Sequence, residues 1–243
     1  MRRVKKKLKF SDWLQQSLLF VSRGPLVWLG YSLFVGILLV LGRISPILGI
    51  FCSVTCLFVG VGVAKYIDLK ASSENPVGFF WAINKSLPLA VLAASAIVIC
   101  WFVFMAIANI LSGEFYKIGL FFFNWQLTPE YLRHRSIAQI AGWIYAYANA
   151  SLIFVLLMLT SFVGWFSYPL MLFKNFSFSQ AKERSEQVVS KNQGALYKML
   201  GFIFFEAILC TTITPLLTPV LYMLSSTMMY ISYKSVFEVD DNQ

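Results

Sequence analysis

Charged residues are scarce in this sequence, and histidine is almost absent. Asp, Glu, Lys and Arg make up 13% of the 243 residues, and there is a single His. Soluble globular domains hold about 25% charged residues. Hydrophobic residues account for 58% of the chain. This composition excludes an ordinary soluble domain and predicts an integral membrane protein.

Signatures of catalysis and of metal binding are also missing. We find no Gly-rich phosphate loop, no Ser-His-Asp set and no paired carboxylates. His134 has no Cys, Asp or second His at ligand spacing, so it cannot form a metal site alone. The four cysteines lie inside apolar runs, where free Cys behaves as a small hydrophobe. We therefore predict a protein that is not an enzyme and has no cofactor or metal.

Long apolar runs are what the sequence does contain, and a run of about 20 residues can cross a bilayer. Six such runs cover residues 25–42, 44–64, 87–111, 140–173, 195–214 and 219–233. The fourth is too long for one perpendicular span. We expect that Gly164 and Pro169 bend it, or that its start lies along the membrane interface. The last two are short and their connection is uncharged, so a re-entrant hairpin is an alternative for them.

The basic residues alternate with these runs and predict the topology. Of the 20 Lys and Arg residues, seven precede the first run, three follow the second, five follow the fourth and one follows the sixth. The positive-inside rule then places both termini in the cytoplasm. The net charge of +9 is thus explained without a nucleic-acid partner. We expect anionic lipid headgroups to bind the N-terminal basic cluster, at about 1 kcal/mol per residue. That cluster consists of Arg2, Arg3, Lys5, Lys6, Lys7 and Lys9.

Amphipathic stretches and an internal repeat organise the chain further. The stretches precede the first, third and fifth runs, at residues 10–21, 77–85 and 179–191. A shift of 169 residues superimposes Pro46 on Pro215 and Lys65 on Lys234. Chance similarity between apolar segments is the alternative. We predict one all-α membrane domain, residues 1–243, of three hairpins with cytoplasmic interfacial helices. Its units are residues 10–70, 75–175 with an outer insertion at 112–139, and 177–237.

Glu206 is the sharpest candidate for a functional residue, because it is the single acidic residue well inside an apolar run. We expect it to face the bundle interior, a cavity or a partner. It could couple transport to a proton or substrate, or it could contact another subunit. It could also be a packing residue that is either protonated or hydrogen-bonded to Asn149, Thr211 or Thr212. Hydroxyls of the last two runs could line a path, although such groups more often bond back to their own helix. They belong to Thr211, Thr212, Thr214, Thr218, Ser225, Ser226 and Thr227.

Two further sets of residues are candidates for contact with a partner protein. The outer insertion contains the aromatic residues Phe121, Phe122, Phe123 and Trp125. They are typical of an interfacial belt, but a loop of this length is also a plausible docking surface. Gly142, Ala146 and Ala150 recur every four residues, which leaves a smooth helix face. That face either packs within the chain or binds a partner.

Two segments resemble a known group of proteins. One runs from Trp13 through Arg23-Gly24-Pro25 to Trp28, and the other contains Ser179-Gln-Ala181, Ser185 and Lys191-Asn192. Together they resemble a broad, largely uncharacterised family of bacterial six-span inner-membrane proteins, distantly like the membrane region fused to some glycerophosphodiester phosphodiesterases. The resemblance implies the fold and a bacterial inner membrane, and it transfers no catalytic residues.

The function that these observations favour is non-enzymatic. We expect an accessory, assembly or scaffold subunit that binds other integral membrane proteins. The alternative is a small transporter or lipid-handling protein with Glu206 as its intramembrane coupling carboxylate.

Overall fold

The computed structural model of the chain describes residues 9–72, 79–122 and 128–237, and this part of the chain is helical. Ten α-helices follow one another in it. They are α1 (Phe10–Val21), α2 (Pro25–Leu41), α3 (Pro46–Ser72), α4 (Phe79–Leu111), α5 (Tyr116–Leu120), α6 (Pro129–Arg133), α7 (Ile137–Met158), α8 (Ser167–Lys174), α9 (Phe178–Thr212) and α10 (Thr218–Phe237). We call the end with the turns at residues 42–45 and 213–217 the apical end. The end with α1, α8 and the last turn of α10 is the basal end.

The first two helices meet at a sharp bend. α1 is amphipathic and buries Trp13, Ser17 and Phe20, whereas Leu18 and Leu19 are exposed. The axis of α1 lies 98° from that of α2, across a break of three residues. The indole Nε1 of Trp13 donates to Ser235 Oγ at 2.8 Å and so ties α1 to the end of α10. The predicted amphipathic helix at residues 10–21 is therefore confirmed as a helix that crosses the basal end.

α3 is the central helix of the bundle, and it packs against α2, α4, α7 and α10. Its residues from Cys56 to Ala64 are all buried. It begins at Pro46 rather than at Ile44, because the Ser45 hydroxyl accepts from the backbone N–H of Leu48 at 3.2 Å. Because α3 packs against other helices on every side, its sequence is apolar all round and shows no polar stripe.

α4 is a peripheral helix, and its structure differs from our expectation. We predicted a separate interfacial stretch at residues 77–85, but α4 runs unbroken from Phe79 to Leu111 through Pro88. Its inner face carries the small residues Ser86, Ala90 and Ala94, four residues apart, which allow close approach to α3. Large apolar side chains such as Phe104 cover its exposed face.

The fourth apolar run is bent, as predicted. α7 continues into a π-helical turn, Leu159–Val163, and stops at Gly164, whose φ of 89° favours glycine. α8 starts three residues later. Pro169 lies in its first turn, where a missing N–H is tolerated, so Gly164 alone makes the bend.

The last two long helices match the predicted fifth and sixth runs. α9 contains a break at Asn192, where φ and ψ leave the helical region. This break separates the polar stretch from the apolar one, as expected. After a short 3₁₀ turn, Pro215–Leu217, α10 returns through the core.

Within the described residues, four helical segments are long and apolar enough to cross a membrane by themselves: Pro46–Ala71, Ser86–Leu111, Ile137–Val163 and Phe178–Thr212. The bent pair of α1 and α2 makes a fifth if it counts as one span. The described part of the chain is thus all-helical, and its four to five candidate spans are consistent with a multi-pass membrane protein.

Residues related by the 169-residue shift touch each other across the core. Ser53 contacts Tyr222, and Ser226 bonds the carbonyl of Leu57, each pair being 169 positions apart. α3 and α10, the second helices of the first and third predicted units, therefore cross at equivalent positions.

Candidate functional site

Glu206 lies on α9 at the border between the covered and exposed sides of that helix. The covered side consists of the core residues Leu196, Met199, Ile203, Ala207 and Cys210. On the other side, Phe204 is 50% exposed and Phe205 is 56% exposed. Glu206 is half-buried, and one turn before it the ring of Phe202 packs 5.7 Å from that of Phe10 in α1.

The Glu206 carboxyl has no hydrogen bond or ion pair with any residue in the described part of the chain. An ionised group deep in a bilayer costs about 2.5 kcal/mol or more. The nearest basic residue along α9 is Lys198, eight residues earlier, or about 12 Å along the helix axis. Among its described residues, α9 therefore supplies no basic side chain at the depth of Glu206.

Asn149 and Thr211 form a pair at the contact between α7 and α9. Asn149 Nδ2 donates to Thr211 Oγ1 at 2.9 Å, and that hydroxyl donates in turn to the carbonyl of Ala207 at 2.8 Å. Thr212 is exposed and donates to the carbonyl of Ile208 at 2.9 Å. The expectation that such hydroxyls bond back to their own helix is confirmed for both threonines.

Glu206 does not join the Asn149–Thr211 pair. Five residues separate Glu206 from Thr211, which places them about 140° apart around α9. Thr211 faces α7, whereas Glu206 lies on the side where Phe202 meets α1. The structure thus does not unite the four predicted intramembrane residues in one site.

Some buried polar atoms on α7 and α10 have no hydrogen-bond partner among the described residues. Asn149 is 1% exposed, and its Oδ1 has no hydrogen-bond partner. The same holds for the hydroxyls of Thr218 and Ser225, both fully buried on α10. Seven residues apart on a helix, these two hydroxyls share a face.

Three hydroxyls surround the middle of α3, and of these the sequence analysis had singled out Ser226 alone, as a candidate to line a path. Those of Tyr31, Ser226 and Tyr168 bond the carbonyls of Cys56, Leu57 and Phe58, at 2.7, 3.0 and 3.1 Å. We call these three hydroxyls the hydroxyl collar. Successive carbonyls of a helix point about 100° apart, so the collar holds α2, α10 and α8 around three sides of α3.

Tyr222 links three helices one turn away from the collar. Its hydroxyl donates to the carbonyl of Ala148 in α7 at 2.9 Å and lies 2.7 Å from Ser53 Oγ in α3. Since its single proton goes to Ala148, Ser53 is the donor in the second bond. The 169-residue shift places Ser53 and Tyr222 at equivalent positions of the predicted repeat, which was the one sequence signal that linked these two residues.

An ionic cluster that we did not predict lies at the basal end. Asp68 Oδ2 accepts from Lys234 Nζ at 2.5 Å and from the Tyr230 hydroxyl at 2.7 Å. The Lys65 ammonium lies 5.6 Å from the centre of the Phe173 ring. Lys65 and Lys234 occupy equivalent positions in the predicted repeat, and this equivalence was the sequence signal that could have pointed to the cluster. The cluster joins the ends of α3 and α10 and has a structural role.

Another cation lies at the apical end, against aromatic rings. The Arg43 guanidinium carbon is 3.6 Å from the centre of the Trp143 ring and 4.8 Å from that of Tyr147. Gly49 lets Tyr147 approach, since an added Cβ would lie 2.5 Å from a Tyr147 ring carbon. These contacts join the turn at residues 42–45 to α7.

The aromatic residues of the outer insertion have different surroundings. Phe121 is 5% exposed, and its ring packs 5.2 Å from that of Phe102 in α4, so it is used within the chain. Phe122 is exposed and remains available for a partner. Phe123 and Trp125 lie outside the described residues. His134 is exposed and lies just after α6.

The smooth stripe on α7 turns from the bundle towards its surface. An added Cβ on Gly142 would come within 3.9 Å of Pro215, so this position faces the apical turn of the same chain. Ala146 is half-buried and Ala150 is exposed. The stripe therefore packs within the chain at Gly142, whereas at Ala150 it is exposed on the surface of the bundle.

The N-terminal basic cluster lies outside the described residues except for Lys9. Lys9 is exposed and directly precedes α1. Within residues 9–72, 79–122 and 128–237, no three His, Cys, Asp or Glu side chains are grouped as metal ligands would be. The described surface thus offers Lys9 and α1, but no metal centre.

The comparisons add no relative from which a role could be transferred. No protein-family model, curated protein or solved structure matches the chain. Its function must therefore be argued from its own residues.

Proposed function

We propose that this protein is a non-enzymatic accessory, assembly or scaffold subunit of a membrane protein complex. It crosses a bacterial inner membrane six times, as three hairpins with both termini in the cytoplasm. Basic residues support this orientation: Lys65, Lys174 and Lys234 lie at the basal end, which would be cytoplasmic. α1 crosses that end at 98° to α2, which suits a helix in the headgroup layer.

The position of Glu206 carries the proposal. A half-buried carboxyl deep in an apolar helix, without a hydrogen bond or ion pair among the described residues, is unfavourable as an ion and is stabilised by a compensating group from outside them. Another membrane protein packed against α9 supplies one most simply. A transport pathway is less well supported, because the Asn149–Thr211 pair lies on another side of α9.

Two other surfaces support binding of further membrane proteins. Phe122 is exposed in the outer insertion, next to the Phe102–Phe121 packing that anchors it. Ala150 is exposed at the end of the smooth stripe on α7. Anionic lipid headgroups are the remaining partners, and they would meet Lys9 and the rest of the N-terminal basic cluster.

Native purification in mild detergent, followed by mass spectrometry, tests the proposal. We expect a stoichiometric partner to co-migrate with the unaltered chain, and we expect less of it with Glu206→Gln. Deletion of residues 115–135 should also reduce the partner if the outer insertion contributes. Glu183→Gln, an exposed change on the polar half of α9, is the matched control. A chain that purifies alone, at full yield and in several detergents, would contradict the proposal.

Transport of a small polar solute or ion is the second candidate function. The observation that favours it is that Asn149 Oδ1 on α7 and the hydroxyls of Thr218 and Ser225 on α10 are buried without a hydrogen-bond partner among the described residues. In this version Asn149→Leu should abolish a solute flux in proteoliposomes, whereas Glu206→Gln should not. Equal fluxes for Asn149→Leu and the unaltered chain would reject this candidate.

A further inference from the structure

The surface around Glu206 is defined by helical spacing on one side of α9. Phe202, Phe205, Leu209 and Ile213 surround the carboxyl, and we call these five residues the Glu206 face. Phe205 and Ile213 are exposed, whereas Phe202, Glu206 and Leu209 are half-buried. The face is therefore apolar with one ionisable group at its centre.

The depth of the carboxyl limits what can reach it. Glu206 precedes the last residue of α9, Thr212, by six residues, or about 9 Å of helix. It lies about 21 Å beyond the break at Asn192. A donor for this carboxyl must therefore be located inside the apolar layer, nearer to the apical end.

The α9 helix of a second copy does not provide such a donor. Copies inserted in the same orientation hold equal residues at equal depth, and a two-fold contact through this face would bring two Glu206 carboxyls together. Lys198 of either copy would remain about 12 Å away along the axis, beyond the reach of a lysine side chain. A different protein is therefore the simplest source of the donor.

We propose that the Glu206 face binds a transmembrane helix of another protein, and that this helix presents a Lys or Arg side chain at the depth of Glu206. This inference rests on the proposed function. Charge complementarity selects the partner, because an ion pair inside the bilayer compensates two groups that are each unfavourable alone. The exposed residues of the face, Phe205 and Ile213, pack against the same helix and exclude lipid from the pair.

Site-specific photo-crosslinking tests this inference in native membranes. A benzophenone amino acid replaces Phe205 in the Glu206 face. The matched control carries it at Phe104, an exposed position on α4, far from the face. We expect a protein adduct from position 205 and lipid adducts alone from position 104. Peptide sequencing of the adduct should identify an apolar segment that contains Lys or Arg.

The charge requirement is tested by variants of Glu206 and of the partner. Glu206→Leu should lower the adduct yield at position 205 at least about tenfold, because it strands the partner's cation. Glu206→Asp should retain most of the yield, since it keeps the carboxylate. Replacement of the identified Lys or Arg by Leu should lower the yield as strongly as Glu206→Leu does.

Four outcomes would overturn the inference: an adduct with lipid alone, an adduct with a second copy, an adduct segment without a basic residue, or equal yields for Glu206→Leu and the unaltered chain. The failure of this inference is distinguishable from the failure of the proposed function. If a partner co-purifies but forms no adduct at position 205, the protein is a subunit that binds through another surface. If neither experiment finds a partner, both proposals are wrong.

Discussion

Gly60 is the position where the hydroxyl collar is most sensitive to added volume. It lies on α3 beside the collar, and an added Cβ would be 2.5 Å from Ser226 Cβ and 2.6 Å from the Tyr31 hydroxyl oxygen. Real Cβ atoms do not approach other atoms so closely, and two different helices would have to move. Gly60→Ala therefore separates α2 and α10 from α3.

The expected cost follows from three contributions. Overpacking of a filled core costs about 1–3 kcal/mol. Interhelical hydrogen bonds in membranes contribute about 0.6 kcal/mol each on average, and those of Tyr31 and Ser226 would be lost. Alanine is favoured over glycine within a helix by about 1 kcal/mol, which offsets part of the loss. We expect Gly60→Ala to lower the free energy of unfolding by about 2 kcal/mol.

Unfolding by SDS in mixed micelles, followed by circular dichroism, measures this change. Gly30→Ala on α2 is the matched control, because nothing lies within 4 Å of its added Cβ. It should leave the stability unchanged or raise it by up to about 1 kcal/mol. Ser226→Gly, combined with Gly60→Ala, should restore part of the loss. Equal stabilities for Gly60→Ala and Gly30→Ala would refute the collar as a packing constraint.

Three further predictions use the same unfolding assay. Tyr222→Phe should cost about 1 kcal/mol, since two interhelical bonds are lost, whereas Tyr197→Phe on the exposed side of α9 should cost nothing measurable. Asp68→Asn should lower the free energy of unfolding by about 1–3 kcal/mol, because it leaves Lys234 without its carboxylate. Glu186→Gln, which removes the exposed ion pair with Lys182, should change it by close to zero. Gly164→Ala should cost more than Gly113→Ala. Both glycines have positive φ, but at Gly164 alone the added Cβ meets a neighbour, Ser185 Oγ at 2.8 Å. Equal costs within any of these pairs would contradict the corresponding contact.

The helices and breaks that depend on local composition and on hydrophobic periodicity were predictable from the sequence. The bend at Gly164, the amphipathic α1 and the break before the apolar half of α9 follow from local patterns that the surroundings do not override. The start of α3 and the unbroken α4 were not predicted. Helix continuity there depends on a cap at Ser45 and on packing against α3, which a hydropathy pattern does not report.

The polar contacts were harder to predict, because most of them join residues far apart in the sequence. Tyr31, Tyr168 and Tyr222 lie inside apolar runs and carry no sequence signal of their own, although each hydroxyl bonds a distant helix. Asp68 was likewise not singled out from the sequence. The separation of Glu206 from Thr211 was predictable, since five residues on a helix point to different sides. Asn149 and Thr211 were both considered as partners of Glu206, and in the structure they bond to each other instead.

The depth of Glu206 is the central claim of this account, and cysteine labelling in intact cells tests it most directly. In a chain whose four cysteines are replaced by serine, single cysteines are placed at Gly113, Ser190 and Glu206. We predict that a membrane-impermeant maleimide labels position 113 in intact cells and position 190 only after the inner membrane is opened. Position 206 should stay unlabelled in both conditions, because it lies within the bilayer. Labelling of position 206 in intact cells would contradict the account, since it would place the carboxyl in water.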